Sequence, residues 1–439
     1  MSATITLREY EQASHQLSET QARRLAYVGK SALTVEPEAQ HGYYSITAQN
    51  LVGTLVVDDL QVLIRPKIRP ENLFLLLEVG LKQGAWRKEA FDYAINSNLL
   101  PSVIAFYART LETTLARGLL RSYRYTRENL VALRGRIDIA EQFRQTGIRV
   151  PVACQFDEYT SDIAENRYLK AATRLALRVP GVAPQDRQRL LREMVSLEDV
   201  ANTPVQPNEL NRIEFTRLNA HYQPALRLAR LLLENLTLAD QRGTGTASSF
   251  LVDMNQLFED FVTQRLRREL RGYLDVASQK KDHLATDTAG KQAVPIRPDL
   301  VFAKQGQEML VADIKYKLTS DAQARNSDYY QLLAYTTALD LPEGVLIYCM
   351  ADGGEPERTV SVRHAGKLLH TLAIQLSGSP AEVAAEITKT ANWIKQRVQT
   401  MMAHTKFSTN SSNWRRLRTS NTPSQWLAYS DTMESPVSQ

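Results

Sequence analysis

Two segments decide the fold of the C-terminal part of the chain: RPDLVF (Arg297 to Phe302) and MLVADIKYK (Met309 to Lys317). Apolar residues follow Asp299 in the first segment and precede Asp313 in the second, which is typical of buried strands. A short turn sequence separates them, so we predict a hairpin. Because side chains alternate between the faces of a strand, Asp313 and Lys315 project to the same side, and hairpin pairing brings Asp299 to their level.

The flanking sequence extends this hairpin into a larger α/β unit. Asp253 to Leu270 carries an apolar face at helical spacing, and Ser327 to Leu339 predicts a second helix. Gly344 to Met350 predicts a third strand. Gln331 and Tyr335 lie four residues apart and share one face of the second helix. The order helix, strand, strand, helix, strand is that of an α/β nuclease core.

Two carboxylates and a lysine on one sheet face match the needs of phosphodiester hydrolysis. A carboxylate pair can hold a divalent metal over the scissile phosphate, and a positive group orients the attacking water or offsets developing charge. Mg²⁺ prefers oxygen ligands and keeps several waters, so we predict Asp299, Asp313 and the backbone carbonyl of Ile314 as ligands for Mg²⁺ or Mn²⁺. Lys315 is the predicted water-orienting group. The competing interpretation is a solvated strand face with a cross-strand Asp–Lys pair.

The remaining chain divides into predicted regions by composition. Residues 1–72 form a β-rich unit, because β-branched and aromatic runs there are broken by turn residues. Residues 73–239 are mainly helical by apolar spacing, and residues 240–250 are a Gly-, Ser- and Thr-rich linker. Residues 251–405 form the nuclease domain, and residues 406–439, dominated by Ser, Thr and Asn, form a disordered tail. We therefore predict a multidomain α/β protein whose C-terminal domain resembles restriction endonucleases.

Composition excludes several classes of protein. The chain has only two cysteines, far apart in the sequence, so neither a disulfide framework nor a structural zinc site is expected. No apolar run approaches the ~18 residues that a membrane helix needs, and the N-terminus lacks the apolar stretch of a signal peptide. A cytoplasmic protein without membrane contact is expected. The formal charge of +5 is compatible with a polyanionic partner but is small for a chain of 439 residues.

The segments RPDLVF, LVADIKYK and DYYQLLAY together resemble the PD-(D/E)xK nuclease superfamily. Upstream segments are similar, in order and type, to the McrC subunit of McrBC-type modified-cytosine restriction systems. They are LRGRIDIAEQF (Leu133 to Phe143), FDEYTSDIAENRYLKAA (Phe156 to Ala172) and LFEDFVTQRLRREL (Leu257 to Leu270). VLIRPKI near the N-terminus resembles the longer McrC-like proteins. The resemblance covers most of the chain before the tail.

This resemblance implies an endonuclease subunit that works with a McrB-like AAA+ GTPase ring on double-stranded DNA containing 5-methylcytosine. The N-terminal part of such a subunit engages the ring and stimulates GTP hydrolysis, so residues 1–72 are the expected contact. GTP belongs to the partner, and in agreement this sequence has no Walker motif and no predicted nucleotide-binding residue. Translocation by the ring then licenses cleavage.

The resemblance also implies roles for individual residues. Asp299 and Asp313 match the family's metal-binding acids, and Lys315 matches its catalytic lysine. Glu259 matches a helix acid found in many superfamily members, which makes it a further candidate metal ligand. The candidates for supporting or DNA-contacting roles are Gln331, Tyr335 and Lys317.

Two other functions stay open at this point. One is a non-catalytic adaptor that activates an AAA+ ring and keeps the nuclease fold only as a DNA-binding platform. It predicts stimulated GTP hydrolysis without metal-dependent cutting. The other is a stand-alone DNA repair nuclease, which would cut DNA with Mg²⁺ and no partner.

Overall fold

The protein is described by a computed structural model that covers residues 3–77, 89, 99–144, 150–206, 209–210, 213–241, 249–319, 326–350 and 356–419. Within these ranges the α-helices are α1 (Glu19–Val28), α2 (Pro70–Leu77), α3 (Leu99–Leu115), α4 (Ile139–Arg144), α5 (Ala164–Ala176), α6 (Pro184–Ser196), α7 (Gln223–Gln241), α8 (Met254–Glu269), α9 (Asn326–Ala338) and α10 (Pro380–Thr419). A 3₁₀ turn at Ala220–Tyr222 precedes α7.

The strands of the described chain fall into five sheets. In the N-terminal half they are β1 (Ala3–Arg8), β2 (Gln12–Gln16), β3 (Leu33–Pro37), β4 (Tyr43–Ala48), β5 (Leu51–Val57), β6 (Leu60–Arg65), β7 (Ser122–Leu130), β8 (Arg136–Ile137) and β9 (Val152–Thr160). In the C-terminal half they are β10 (Phe250–Asp253), β11 (Asp275–Ser278), β12 (Asp282–Thr286), β13 (Gln292–Ile296), β14 (Leu300–Lys304), β15 (Gln307–Thr319), β16 (Glu343–Met350), β17 (Glu357–Val362) and β18 (Lys367–Gln375).

The β-rich N-terminus predicted from the sequence is present as two small sheets. One has the order β2-β4-β3, and the other has the order β1-β6-β5-β10. The last strand of the second sheet comes from Phe250–Asp253, so its backbone lies close against β5. A Cβ on Gly53 would stand 2.1 Å from the carbonyl oxygen of Phe250, and the φ of Gly53 is +135°, so only glycine fits there. The predicted domain boundary at residue 251 therefore runs through a strand that completes the N-terminal sheet.

The middle region is mainly helical, as predicted, but it also contains a three-stranded sheet of order β7-β9-β8 that this prediction did not include. One of its strands, β8, directly precedes α4. The other two, β7 and β9, pair over nine residues each, from Ser122↔Thr160 to Leu130↔Val152. The middle helices share one continuous apolar core with α2, α8, α10 and one face of the six-stranded sheet of the C-terminal half.

The C-terminal sheet has six strands in the order β11-β14-β15-β16-β18-β17. The predicted hairpin is confirmed, because β14 and β15 pair antiparallel. The three central strands β15, β16 and β18 run parallel. One sheet face joins the main core with α8 and α10, and the other packs against α9. This sandwich of helices around a mixed sheet confirms the α/β class.

The C-terminal helix α10 is longer than the sequence suggested. It runs to Thr419, past the predicted start of the tail at residue 406, and residues 420–439 lie outside the described residues. Most of the predicted linker, residues 242–248, also lies outside them. No helix in the described ranges is both long and apolar enough to cross a membrane.

Candidate active site

Asp299 and Asp313 lie next to each other because of the β14–β15 register. Leu300 pairs with Ala312, so the residue before β14 reaches the level of the residue after Ala312. Asp299 Oδ2 accepts a hydrogen bond of 2.7 Å from the backbone N–H of Ile314. The structure thus brings together the two acids that the sequence predicted.

The acids are buried, which contradicts the interpretation of a solvated strand face. Asp299 is 9% exposed and Asp313 is 1% exposed. The ammonium of Lys315 lies 2.8 Å from Asp313 Oδ2 and forms an ion pair with it; apart from this contact, the buried oxygen has no hydrogen-bond partner among the described residues. A buried, incompletely paired carboxylate costs free energy unless a cation compensates it.

The electrostatics of the site agree with an excess of negative charge. Burial, followed by the charge of Asp299, raises the pKa of Asp313 to about 7, although Lys315 opposes the shift. Burial is the largest single influence and disfavours the charged form of Lys315, but the charge and hydrogen bond of Asp313, together with the charge of Asp299, outweigh it, so the pKa of Lys315 is raised. The lysine therefore stays positive and offsets part of the charge of the acids.

Glu259 stands at the edge of this site and is joined to it by a glutamine. Gln279 Nε2 donates to Glu259 Oε1 at 2.5 Å and to Asp299 Oδ1 at 2.9 Å. Burial first, and the charge of Asp299 second, raise the pKa of Glu259 to about 7. Gln279 adopts a positive φ of 53°, uncommon for a non-glycine residue. Gln279 could not be predicted from a motif, because it lies in the loop after β11.

Gln331 and Tyr335 share one face of α9, as predicted, and they reach the site through Tyr335. Gln331 Nε2 donates to Tyr335 Oη at 2.7 Å. The hydroxyl of Tyr335 donates to the backbone carbonyl of Arg297 at 3.4 Å, two residues before Asp299, and burial and the charge of Asp313 raise the pKa of Tyr335. Their role towards DNA stays a prediction. The side chain of Lys317 lies outside the described residues, so its predicted role does too.

The sheet adds a buried pair that the sequence analysis missed. Tyr348 is the register partner of Lys315 on β16, and its hydroxyl donates to Asp328 Oδ2 at 2.7 Å. Tyr348 packs in the core on the α9 side of the sheet. An Asp and a Tyr on separate elements carry no spacing signal, so only the fold reveals that they stand beside the lysine.

The residues present fit a hard divalent cation with few protein ligands. In the described ranges no group of three or more His, Cys, Asp or Glu side chains is arranged to hold a metal. Two carboxylates with an unmet buried oxygen on Asp313 suit an ion such as Mg²⁺, which keeps several waters and takes one or two protein carboxylates. The carbonyl of Ile314 stays a predicted third ligand.

A second unusual surface is formed by the sheet β7-β9-β8 and the described residues between its strands, all within 122–160. We call this surface the exposed sheet. Its large apolar side chains face solvent, up to 85% exposure for Phe143. They are Tyr123, Tyr125, Val131, Leu133, Ile137, Ile139, Phe143, Val150 and Tyr159. An exposed apolar patch of this kind marks an interaction surface.

A cluster of ion pairs around Asp162 connects the exposed sheet to the helical region. Asp162, which follows β9, accepts from Arg167 Nε at 2.7 Å and from Arg124 Nη1 at 2.6 Å. The guanidinium of Arg167 is the first cause that holds the pKa of Asp162 far below its usual range. The exposed sheet is therefore held at a defined angle to α5, the helix that carries Arg167.

The described chain thus combines two features. One is the set of two buried acids and a lysine on one face of an α/β sheet, and the other is a separate exposed apolar surface. Residues 46–349 match the family described as "McrBC 5-methylcytosine restriction system component". The chain belongs to this family. A search of curated proteins gave no match.

Two of the solved structures that match this chain come from Thermococcus gammatolerans. A chain from a refined half-complex of McrB AAA+ hexamers with bound McrC has 20% sequence identity and a TM-score of 0.48, over 89% of this chain and 100% of that chain. A chain from the cryo-EM structure of the McrBC complex has 24% identity and a TM-score of 0.40, over 62% of this chain and 89% of that chain.

Proposed function

We propose that this chain is the endonuclease subunit of a GTP-dependent restriction complex that cuts DNA containing 5-methylcytosine, and that its C-terminal domain is a PD-(D/E)xK nuclease. The observation that carries the proposal is the buried Asp299–Asp313 pair with Lys315 on the same sheet face. Membership of the McrBC component family supplies the biological setting. The expected cellular location is the cytoplasm, where the DNA is.

Each residue has a separate task in this proposal. Asp299 and Asp313 would hold Mg²⁺ or Mn²⁺, which when bound activates water and offsets the charge of the phosphate. The hydrogen bond from the Ile314 N–H fixes the carboxylate of Asp299. Lys315 holds a positive charge beside Asp313, from which it can orient the attacking water or stabilise developing charge. Gln279 fixes Asp299 from the other side and links it to Glu259.

The proposed partner is an AAA+ ring that binds GTP, and the proposed contact is the exposed sheet. That residues 1–72 engage the ring stays a prediction; among the described residues of this range, Tyr10 and Tyr27 are the exposed large apolar ones. The exposed sheet has a far denser set, with arginines beside its aromatic rings: Arg127 stands over Tyr125, and Arg134 over Phe156. Aromatic and arginine side chains are the groups most enriched in protein interfaces.

The test is the variant Asp313→Asn assembled with the partner ring, GTP, Mg²⁺ and methylated DNA. We expect cleavage to fall by about 100-fold or more, since a metal ligand is lost, while stimulation of GTP hydrolysis stays unchanged. Asp186→Asn is the matched control, because Asp186 is also buried but pairs with Arg189 in the helical region. Its cleavage should equal that of the wild type.

The same assay separates the other two functions. Wild-type protein that stimulates GTP hydrolysis without cutting would establish the adaptor. Cutting by the purified chain with Mg²⁺ and no ring would establish the stand-alone nuclease. Full cleavage by Asp313→Asn would overturn the site itself.

A further inference from the structure

The strand that carries the lysine bulges directly after it. On β15, Lys315 pairs with Tyr348, but the next pair is Leu318↔Cys349. Tyr316 and Lys317 therefore have no partner on β16, and β14 pairs with β15 only as far as Ala312. β-bulges next to active sites re-aim side chains. Strand pairing alone does not fix the chain just beyond Lys315.

Tyr316 is the residue that anchors this bulge. Its side chain is 2% exposed and lies on the sheet face opposite Lys315. The ring centroid is 5.8 Å from that of Phe258, which precedes Glu259 on α8. The hydroxyl of Tyr316 donates to Glu9 Oε2 at 3.1 Å. Since strand pairing is interrupted here, these two contacts hold the chain beyond Lys315.

Glu9 reaches the bulge from the N-terminal unit. It directly follows β1 and is 0% exposed. Its Oε2 also accepts from the backbone N–H of Lys67 at 2.9 Å, and its own N–H donates to the carbonyl of Arg65 at 3.0 Å. The carboxyl is thus tied to the ends of β1 and β6 on one side and to Tyr316 on the other.

The burial of Glu9 is costly, and packing does not explain it. Its Oε1 is buried without a hydrogen-bond partner, and an unmet buried polar atom destabilises a fold. Burial raises the pKa of this carboxyl to about 7. If the contact between Glu9 and Tyr316 were purely structural, an apolar pair would provide it at a lower cost in free energy.

We propose that Glu9 is a positioning residue for cleavage: by holding the hydroxyl of Tyr316 it fixes the bulge and so aims Lys315 at the reacting phosphate. The inference rests on the proposed nuclease function. It also makes the N-terminal unit part of the active-site architecture, because a movement of β1 relative to the six-stranded C-terminal sheet would move Tyr316.

The test removes one hydroxyl. Tyr316→Phe keeps the ring against Phe258, and in the full complex we expect kcat for cleavage to fall about 10-fold, as for a mispositioned catalytic group. KM for DNA and stimulation of GTP hydrolysis should not change. Hydrogen–deuterium exchange in the isolated chain should become faster at residues 313–318. The control is Tyr107→Phe, which removes a buried hydroxyl that donates to the Leu169 carbonyl at 3.0 Å in the helical region.

Variants at Glu9 complete the test. Glu9→Ala should lower kcat as much as Tyr316→Phe, and the double variant should be no worse than either, because both remove the same contact. Glu9→Gln keeps an oxygen acceptor and should restore cleavage. Wild-type kcat in Tyr316→Phe, or an equal loss in Tyr107→Phe, would overturn the inference. Neither result would touch the proposed function, which fails only if the wild type does not cut or if Asp313→Asn does.

Discussion

The six-stranded C-terminal sheet, here called the nuclease sheet after its proposed function, and the exposed sheet depart from the usual burial of apolar residues and exposure of charged ones in opposite directions. The nuclease sheet hides charged residues, with Asp313 at 1% exposure beside Lys315. The exposed sheet turns apolar side chains such as Phe143 to solvent. Buried acids are stabilised by a bound cation, whereas an exposed apolar surface is typical of a site that binds a protein partner. Under the proposed function, chemistry and assembly are placed on separate sheets, so a mutation in one sheet should leave the task of the other intact.

The largest effect is expected from the buried charge of the nuclease sheet. Lys315→Met keeps the length of the side chain but removes the ammonium, and cleavage by the full complex should fall by roughly 100- to 1000-fold. Single-turnover cleavage of methylated DNA measures this loss. Lys304→Met, at the far end of β14, is the control and should cut normally. Binding to the ring should be unchanged in both, and a loss of ring binding in Lys315→Met would contradict the separation of tasks.

An intermediate effect is expected from the exposed sheet. Tyr123 and Tyr159 are register partners with ring centroids 5.1 Å apart. Replacing both by Ser should weaken binding to the AAA+ ring by about 30-fold, the size expected for interface anchors, and should lower GTP stimulation while metal binding persists. Fluorescence anisotropy of labelled chain against the ring measures this change.

The control for that experiment is Tyr27→Ser. Tyr27 is 84% exposed but lies on α1, so ring binding should not change. If Tyr27→Ser weakens binding and the double variant does not, the N-terminal unit is the contact and the exposed sheet is not.

The smallest effect on activity, but a clear effect on stability, is expected for Glu9→Gln. The pKa of Glu9 is raised in the folded protein from 4.5 to about 7, so the folded state binds the proton more tightly than the unfolded state. Below pH 4.5 the wild type pays no penalty, and its stability falls as the pH rises towards 7. At pH 8 the variant should be more stable by on the order of 1 to 3 kcal/mol.

Urea unfolding of wild type and Glu9→Gln at several pH values measures this difference. The difference should shrink to nothing near pH 4. Other acids with raised pKa values, such as Glu259, are common to both proteins and cancel. If the difference in the free energy of unfolding did not vary with pH, Glu9 would ionise in the folded protein without loss of stability.

Local pattern was enough to predict the centre of the site. The β14–β15 hairpin joins strands that are adjacent in the sequence, and alternation along β15 puts Asp313 and Lys315 on one face. The helical spacing of Gln331 and Tyr335 likewise predicted a shared face, which the hydrogen bond between them confirms. In both cases the contact depends on residues a few positions apart.

Contacts between distant parts of the chain could not be predicted in this way. Gln279 meets Asp299 through a loop conformation, and Glu9 meets Tyr316 across most of the chain. The strands β7 and β9 were not predicted because apolar and polar residues alternate over only about four positions in each, Tyr123 to Thr126 and Cys154 to Asp157, and because both faces of β7 carry charged residues. The pairing of β10 with β5 was not predicted, because the composition of residues 240–250 indicated a linker between the regions that contain the two strands.

The most direct test of the central claim is Mn²⁺ binding to the isolated chain, followed by electron paramagnetic resonance. We expect wild type and Asp186→Asn to bind Mn²⁺ with equal affinity, and Asp313→Asn to lose at least about 10-fold in affinity, as for a lost ligand. Equal binding by Asp313→Asn and wild type would contradict the assignment of the buried acid pair as the metal site.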